Sequence, residues 1–367
     1  MKILAAASDN GACTGYRIRE PLNRLKKLGL AQTILIENAH QDFTKELLLS
    51  DIFMFGRAAS GTIIDQIDKM HSMGKKVVFD LDDNIFEVSP YSQHYNRLGI
   101  MPIESLDDDN THLGMMWEDG KDGLDVKSNR QFQMYFIQVL RNVDAVTCAT
   151  KPLQELYSRF NRNAVHVPSG IDVGLWKTDK NDSQNKHFRI LWTGAANHYS
   201  DAKNMMPVFE EIQKKYKNVR LAFVGNDWRM VKNNLDYSRV DVYPWVSYEA
   251  YPYLLKTIKA DIGIAPIQMT HFDDCRSAAK WWEYSCLNMP TIATNHGPYK
   301  REMNNGKTGL LVQTDKEWVS GLSALIEDKA LRTDLAAEAL KDVKQNHNLD
   351  YTCDKWAETF QKTLEEK

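Results

Sequence analysis

The chain has 367 residues, more than one ordinary core accommodates, and at roughly 150 residues per domain the length points to two domains. Hydrophobic residues make up 43% and charged residues 26%, which excludes a disordered chain. With 46 Lys+Arg against 49 Asp+Glu the net charge is -3, which argues against attachment to nucleic acid by bulk charge and leaves a local basic patch as the only electrostatic route to it.

Short apolar, β-rich runs predict strands at 2–7, 31–37, 51–56, 75–81, 145–150 and 164–168. A second series follows at 189–194, 219–225, 240–246, 261–266, 290–294 and 309–313. Most are continuously apolar rather than alternating, the pattern of strands buried on both faces of a parallel sheet. Helices are predicted between them, among others at 18–28, 204–216, 249–259 and 276–288. Strand–helix alternation twice over predicts two doubly wound α/β domains. Their boundary is expected near Pro168-Ser169-Gly170-Ile171-Asp172, followed by a polar linker over 177–187. Over 331–366, Leu335, Leu340, Trp356, Phe360 and Leu364 recur at helical spacing and predict terminal helices. One segment breaks the pattern: residues 103–125 hold eight acidic residues against one lysine, together with His112, Met115, Met116 and Trp117. A stretch that long reads either as a solvated surface insertion or as a lid on the acceptor side.

Five cysteines (Cys13, Cys148, Cys275, Cys286, Cys353) are odd in number, widely spaced and without CxxC, so neither a disulfide framework nor a zinc knuckle is expected. The start is too briefly apolar for a secretory signal, and no apolar stretch reaches the roughly 18 residues of a membrane span. A cytoplasmic location is the expectation.

Four segments carry candidate chemistry. The first is Asp9-Asn10-Gly11-Ala12-Cys13-Thr14-Gly15-Tyr16-Arg17-Ile18, between a strand and a helix. Its glycines let a backbone approach a bulky ligand and Arg17 could bond a phosphate, or the segment is simply a tight turn. Phe79-Asp80-Leu81-Asp82-Asp83-Asn84-Ile85-Phe86 ends a buried strand. Its carboxylates could hold Mg²⁺, bind a sugar or act as a base, or else cap a helix. Trp192-Thr193-Gly194-Ala195-Ala196-Asn197-His198-Tyr199-Ser200-Asp201 again joins strand to helix, with Lys203 beyond. His198 there either donates to a phosphate or sugar oxygen or is merely solvated. In the last segment, Arg276, Lys280 and Glu283 stand at i, i+4 and i+7 on a predicted helix. Cations on that face suit a diphosphate and Glu283 suits the two hydroxyls of a ribose; a surface ion-pair cluster is the alternative.

At these residues the chain resembles the glycosyltransferase family 4 enzymes, which have the GT-B fold. Val165-His166-Val167-Pro168-Ser169-Gly170-Ile171-Asp172 is similar to that family's interdomain signature, with Ser169 where the family has Asn. Residues 280–290 are similar to its nucleotide-binding helix and following strand, and residues 297–312 to its closing segment. The 79–86 and 15–18 segments look like a subgroup found in bacterial surface-polysaccharide clusters and phage genomes.

The resemblance implies an α/β chain of two Rossmann-like domains facing across a cleft. It places an acceptor-side domain at 1–170, a nucleotide-sugar domain at 171–345, and a terminal helix at 346–367 returning to the first. It implies sugar transfer from a nucleotide-sugar to an acceptor hydroxyl with retention at the anomeric carbon, without cofactor or metal. Glu283 matches the carboxylate that binds the donor ribose and Lys280 a basic position near the phosphates. The donor site so implied comprises Gly15, Gly194, Asn197, Lys203, Arg276, Glu283 and Tyr284, with His198, Lys280 and Arg17 as catalytic groups and Asp82 and Asp83 facing the acceptor. One departure stands out: the family's second glutamate, eight residues before Glu283, is Cys275 here, and Asp273, Asp274 or Arg276 would have to substitute. A carbohydrate or glycan is the expected acceptor; Tyr16, Tyr91, Tyr95 and Trp117 are candidates to stack on it, or are core. The competing readings are a transferase acting on a modified DNA base, a sugar-nucleotide epimerase of the same architecture and a non-catalytic nucleotide-sugar-binding protein. An NAD-dependent dehydrogenase is disfavoured because GxGxxG is missing.

Overall fold

Each of the twelve apolar runs contains a strand in the computed structural model, which describes residues 1–7, 11–36, 43–92, 94–106, 112–176 and 187–366. The strands are β1 (Lys2–Ala6), β2 (Gln32–Ile36), β3 (Ile52–Gly56), β4 (Lys76–Leu81), β5 (Ile103–Leu106), β6 (His112–Trp117), β7 (Ala145–Cys148) and β8 (Ala164–His166). They continue as β9 (Phe188–Gly194), β10 (Val219–Gly225), β11 (Val240–Pro244), β12 (Ile262–Ala265), β13 (Thr291–Thr294) and β14 (Leu310–Val312). The chain divides into two compact units, Met1–Gly170 with Thr352–Lys367, and Ile171–Tyr351.

The first unit is built on a parallel sheet of order β2-β1-β3-β4-β7-β8. Every residue of β3 and β7 is buried, as the unbroken apolar runs require of strands covered on both faces. Phe55, Phe79 and Phe136 form a chain of ring contacts at 4.8 and 5.2 Å, the last from the Val126–Asn142 helix. Each such buried ring contributes about 1.5–3 kcal/mol. The Gly61–Ser72 helix is started by Ser60, whose hydroxyl accepts from the Ile63 amide. The end of the chain belongs to this unit: Trp356 is buried and the Cys353 thiol donates to the Pro21 carbonyl.

The acidic segment is not a plain loop. β5 and β6 pair antiparallel, residues 107–111 lying outside the described residues. Trp117 packs at a tilt against Tyr95 at 5.6 Å and donates to the Pro90 carbonyl, while Tyr95 donates to the Met101 carbonyl. Tyr95, Leu124 and Val126 form the small core here with Trp117 packed against it, and Tyr16 is buried, so none of the three aromatic candidates is a free stacking platform; Tyr91 alone of the four is exposed.

The second unit carries a parallel sheet of order β11-β10-β9-β12-β13-β14. Its core gathers Trp192, Phe209, Phe223 and Trp228, with Trp192 stacked on Trp228 at 5.1 Å. The linker expected over 177–187 falls, except His187, outside the described residues. Among the described residues no helix is long and apolar enough to cross a membrane. In sheets of this kind ligands gather beyond the carboxyl ends of the strands, which here present Gly56 and Asp80 in one unit and Gly194 and Gly225 in the other.

Candidate functional site

In the second unit, β9 ends at Gly194 and the chain makes one tight turn, Ala196–His198, before the Tyr199–Lys215 helix. A Cβ on Gly194 would stand 3.1 Å from the His198 ring, so the glycine is what admits the imidazole beneath the strand end. His198 is 2% exposed. Its Nδ1 lies 2.5 Å from Asp201 Oδ2, and its Nε2 lies 3.0 Å from Arg276 Nη2 and 3.1 Å from Lys280 Nζ. A nitrogen facing two cations must accept, so Nε2 carries the lone pair and Nδ1–H donates to Asp201. Burial, then Lys280 and Arg276, hold the imidazole well below its ordinary pKa, which makes it a neutral bridge. Burial, then Arg276, push Lys280 down to about 8, and burial raises Asp201 to about 6.

Two cations and the carboxylates of Asp201, Asp273 and Glu283 thus meet around one buried imidazole. Asp201 is shared with the Gln268 amide, and Asp273 bonds both Arg276 and Thr270. Nearby, Asn197 Oδ1 and Ser200 Oγ are buried without a hydrogen-bond partner among the described residues. Orphaned polar atoms beside paired cations are what an anionic, hydroxylated ligand would satisfy.

One turn after Lys280, Glu283 is 4% exposed and accepts from the Tyr251 hydroxyl at 3.1 Å. Gly194 pairs with Gly225, and Gly225 with Pro244, so two adjacent strands end without side chains. Gly225 has φ +96°, and a Cβ there would sit 2.9 Å from the Gly194 carbonyl oxygen. With strands about 4.8 Å apart, this shelf runs about 10 Å from the His198 strand to β11. Just past β11 stands Trp245, 62% exposed.

The structure thus gathers His198, Arg276 and Lys280 at one nitrogen, with Gly194 against the ring and Glu283 a turn away. It does so differently from the sequence reading in one respect. The helix is Ala279–Cys286, and Arg276 lies in the turn before it, because Thr270 caps a separate short helix His271–Asp274. Three expected site residues, the donor residues Tyr284 and Gly15 and the catalytic candidate Arg17, have other work. Tyr284 is fully buried, with its ring under Gly263, where a Cβ would be 2.2 Å away, and its hydroxyl accepts from the Thr193 amide; it is core. Arg17 is 2% exposed and bonds Asp80 at 2.6 and 3.2 Å, the Val167 carbonyl at 2.5 Å and the Ser169 hydroxyl at 3.4 Å, over the Trp356 ring. It is an internal strut of the first unit and is not presented to a phosphate. Gly15 is buried in the π turn Gly15–Arg19 that carries it. Lys203 is exposed on its helix. Cys275 is fully buried, and of its suggested substitutes Asp273 is committed to Thr270 and Arg276, Asp274 to Arg301 at 2.6 Å.

In the first unit the acidic pair has an unexpected partner. Arg57, directly after β3, adopts φ +60°, a left-handed conformation that costs a non-glycine residue about 1–3 kcal/mol. Its guanidinium bonds Asp82 at 2.9 and 2.5 Å and Asp83 at 3.1 Å. Arg57 holds the Asp82 carboxyl below its ordinary value against the pull of burial. Cys13, Asp82 and Asp83 place ligand atoms within 4.8 Å of one another, but Arg57 already supplies the positive charge there.

Residues 177–342 match the family model described as glycosyl transferases group 1. A search of curated protein sequences finds no match. Solved structures align over nearly the whole chain. Sucrose-phosphate synthase from Thermosynechococcus elongatus superposes with a TM-score of 0.64 at 13% identity, over 99% of each chain. Anabaena Alr3699/HepE, crystallised with UDP-glucose, gives 0.62 at 12% identity, over 99% of this chain and 100% of that one. A glycosyltransferase from Rickettsia africae gives 0.60 at 12% identity, over 100% and 99%. The fold is GT-B. In the numbering of this GT-B chain, the group 1 match covers the strand-end cluster His198–Asp201, Arg276–Lys280 and Glu283.

Proposed function

We propose that the chain is a glycosyltransferase using a nucleoside diphosphate sugar as donor and an acceptor hydroxyl as nucleophile. The observation that carries this reading is the pair of cations, Arg276 and Lys280, converging on the neutral His198 at the end of β9. A diphosphate set against them would accept charge-assisted bonds from both, and Asn197 and Ser200 would gain partners. Glu283 then meets the ribose hydroxyls and the nucleoside extends over the Gly194–Gly225 shelf. The group 1 match over this unit supports the reading, as does the UDP-glucose bound to the Anabaena protein of the same fold.

The reaction follows from charge. The bond between the anomeric carbon and the diphosphate oxygen breaks, the acceptor oxygen bonds that carbon from the same face, and the acceptor proton passes to the departing diphosphate oxygen. Arg276 and Lys280 stabilise the charge that develops on that oxygen, so no protein nucleophile and no metal is needed. Asp82 and Asp83 bind the acceptor.

The test is a thermal-shift panel of UDP-, GDP-, ADP- and dTDP-sugars followed by product analysis with the stabilising donor. One nucleotide class should raise the midpoint, and the anomeric configuration should be kept. Stabilisation by none of the four would remove the proposal; free epimerised sugar-nucleotide as the product would replace transfer with epimerisation.

A further inference from the structure

The first unit contains a cavity that the donor chemistry does not use. It has a volume of about 200 Å³ and lies between the carboxyl ends of β1 and β3 and the Gly61–Ser72 helix. Phe53, Phe55, Ala58, Ile63, Ile67 and Met70 line it. Phe53, Phe55, Ile67 and Met70 are buried, Ile63 is half-buried, and Gln66 at its margin is exposed.

The backbone ties this cavity to the carboxylates. Gly56 and Ala58 both line it, and Arg57 stands between them. The left-handed conformation of Arg57 turns its guanidinium to Asp82 and Asp83, so one three-residue turn has apolar walls on one side and a charged cluster on the other. Gly56 permits the approach, since a Cβ there would lie 3.0 Å from the Asp80 carbonyl oxygen. A molecule bridging this turn has a hydroxylated end for the carboxylates and an uncharged apolar end for the slot.

We infer that the acceptor is amphiphilic: a hydroxyl-bearing group held at Asp82 and Asp83, joined to an alkyl or aryl group seated in the slot. The apolar end follows from the lining, where Phe53, Phe55, Ile67 and Met70 form buried walls. This rests on the transferase reading and specifies its acceptor. A plain sugar would leave the slot filled with water against phenylalanine and isoleucine, whereas each methylene moved into it improves affinity about fourfold.

The experiment compares methyl, butyl and hexyl β-D-glucoside binding by calorimetry, without donor, in the wild-type chain and in two slot variants. Ala58→Trp fills the cavity and Ile63→Glu places a charge at its wall; two different variants guard against failure of one to fold. Wild type should bind the hexyl probe at least tenfold more tightly than the methyl one, and both variants should lose that preference. Equal affinity for the three probes in wild type, or a preference that survives both variants, would overturn the inference. Nucleoside diphosphate binding is measured alongside. Its presence with no alkyl preference sinks only the acceptor class, and its absence with the preference intact leaves the slot standing and removes the donor reading.

Discussion

The charge state of Lys280 offers the sharpest perturbation. Burial, reinforced by Arg276, pushes its ammonium down to about 8. A group with that value is about nine-tenths charged at pH 7 and about one-tenth at pH 9. A diphosphate between Lys280 and Arg276 binds the charged form, so its affinity should be nearly flat up to about pH 7 and fall about fivefold between pH 8 and 9, about 1 kcal/mol. The terminal phosphate ionises near pH 6, below this window. Calorimetry at pH 8 in two buffers of different ionisation enthalpy should register uptake of about half a proton per diphosphate bound. Lys280→Arg keeps a permanent charge and should flatten the profile while retaining most of the affinity. A wild-type profile that is level from pH 7 to 9.5, with no proton uptake, would refute the reasoning and place the anion elsewhere.

Three further outcomes follow from particular contacts. Arg17→Met strands the buried Asp80 carboxylate and should destabilise the protein by about 3–5 kcal/mol in denaturant unfolding, with Asp80→Asn in the same chain restoring part of it; a loss below about 1 kcal/mol would deny the strut. Gly225→Ala combines φ +96° with a Cβ 2.9 Å from a carbonyl oxygen and should cost about 1–3 kcal/mol, and a neutral result would contradict the shelf geometry. Burial raises Glu302 to about 7, so the folded chain holds its proton more tightly than the unfolded one and stability declines as pH rises from about 4.5 through 7. Glu302→Gln has no proton to lose and should gain on wild type by up to about 3 kcal/mol between pH 5 and 8; a constant difference at both pH values would show that Glu302 is not the titrating group.

The strands were readable because parallel sheets covered on both faces demand unbroken apolar runs, and 219–225 matches its strand to the residue. Helix ends were less so: the spacing of Arg276, Lys280 and Glu283 suggests one helix, yet Thr270 stops the chain early and Arg276 reaches His198 from a turn. Local signals do mark part of the site. His198 and Asp201 stand at i, i+3 beside a strand-end glycine, and that spacing could have named Asp201 as the partner of the ring. Contacts between distant positions left no such mark. Nothing near Arg17 announces Asp80, 63 residues away, so a buried strut reads as a phosphate ligand. Tyr284 is core because Gly263, on β12, makes room for its ring. Arg57 was missed because only the backbone conformation after β3 turns it toward Asp82.

The central claim is that Arg276 and Lys280 form the seat of a nucleoside diphosphate. Calorimetric titration of UDP, GDP, ADP and dTDP into wild type and into the Arg276→Met, Lys280→Met double variant tests it most directly. One diphosphate should bind wild type, and the double variant should lose at least about a hundredfold, the loss of two charge-assisted contacts at about 1.5–3 kcal/mol each. Equal binding to both proteins, or no binding of any of the four to wild type, would contradict it.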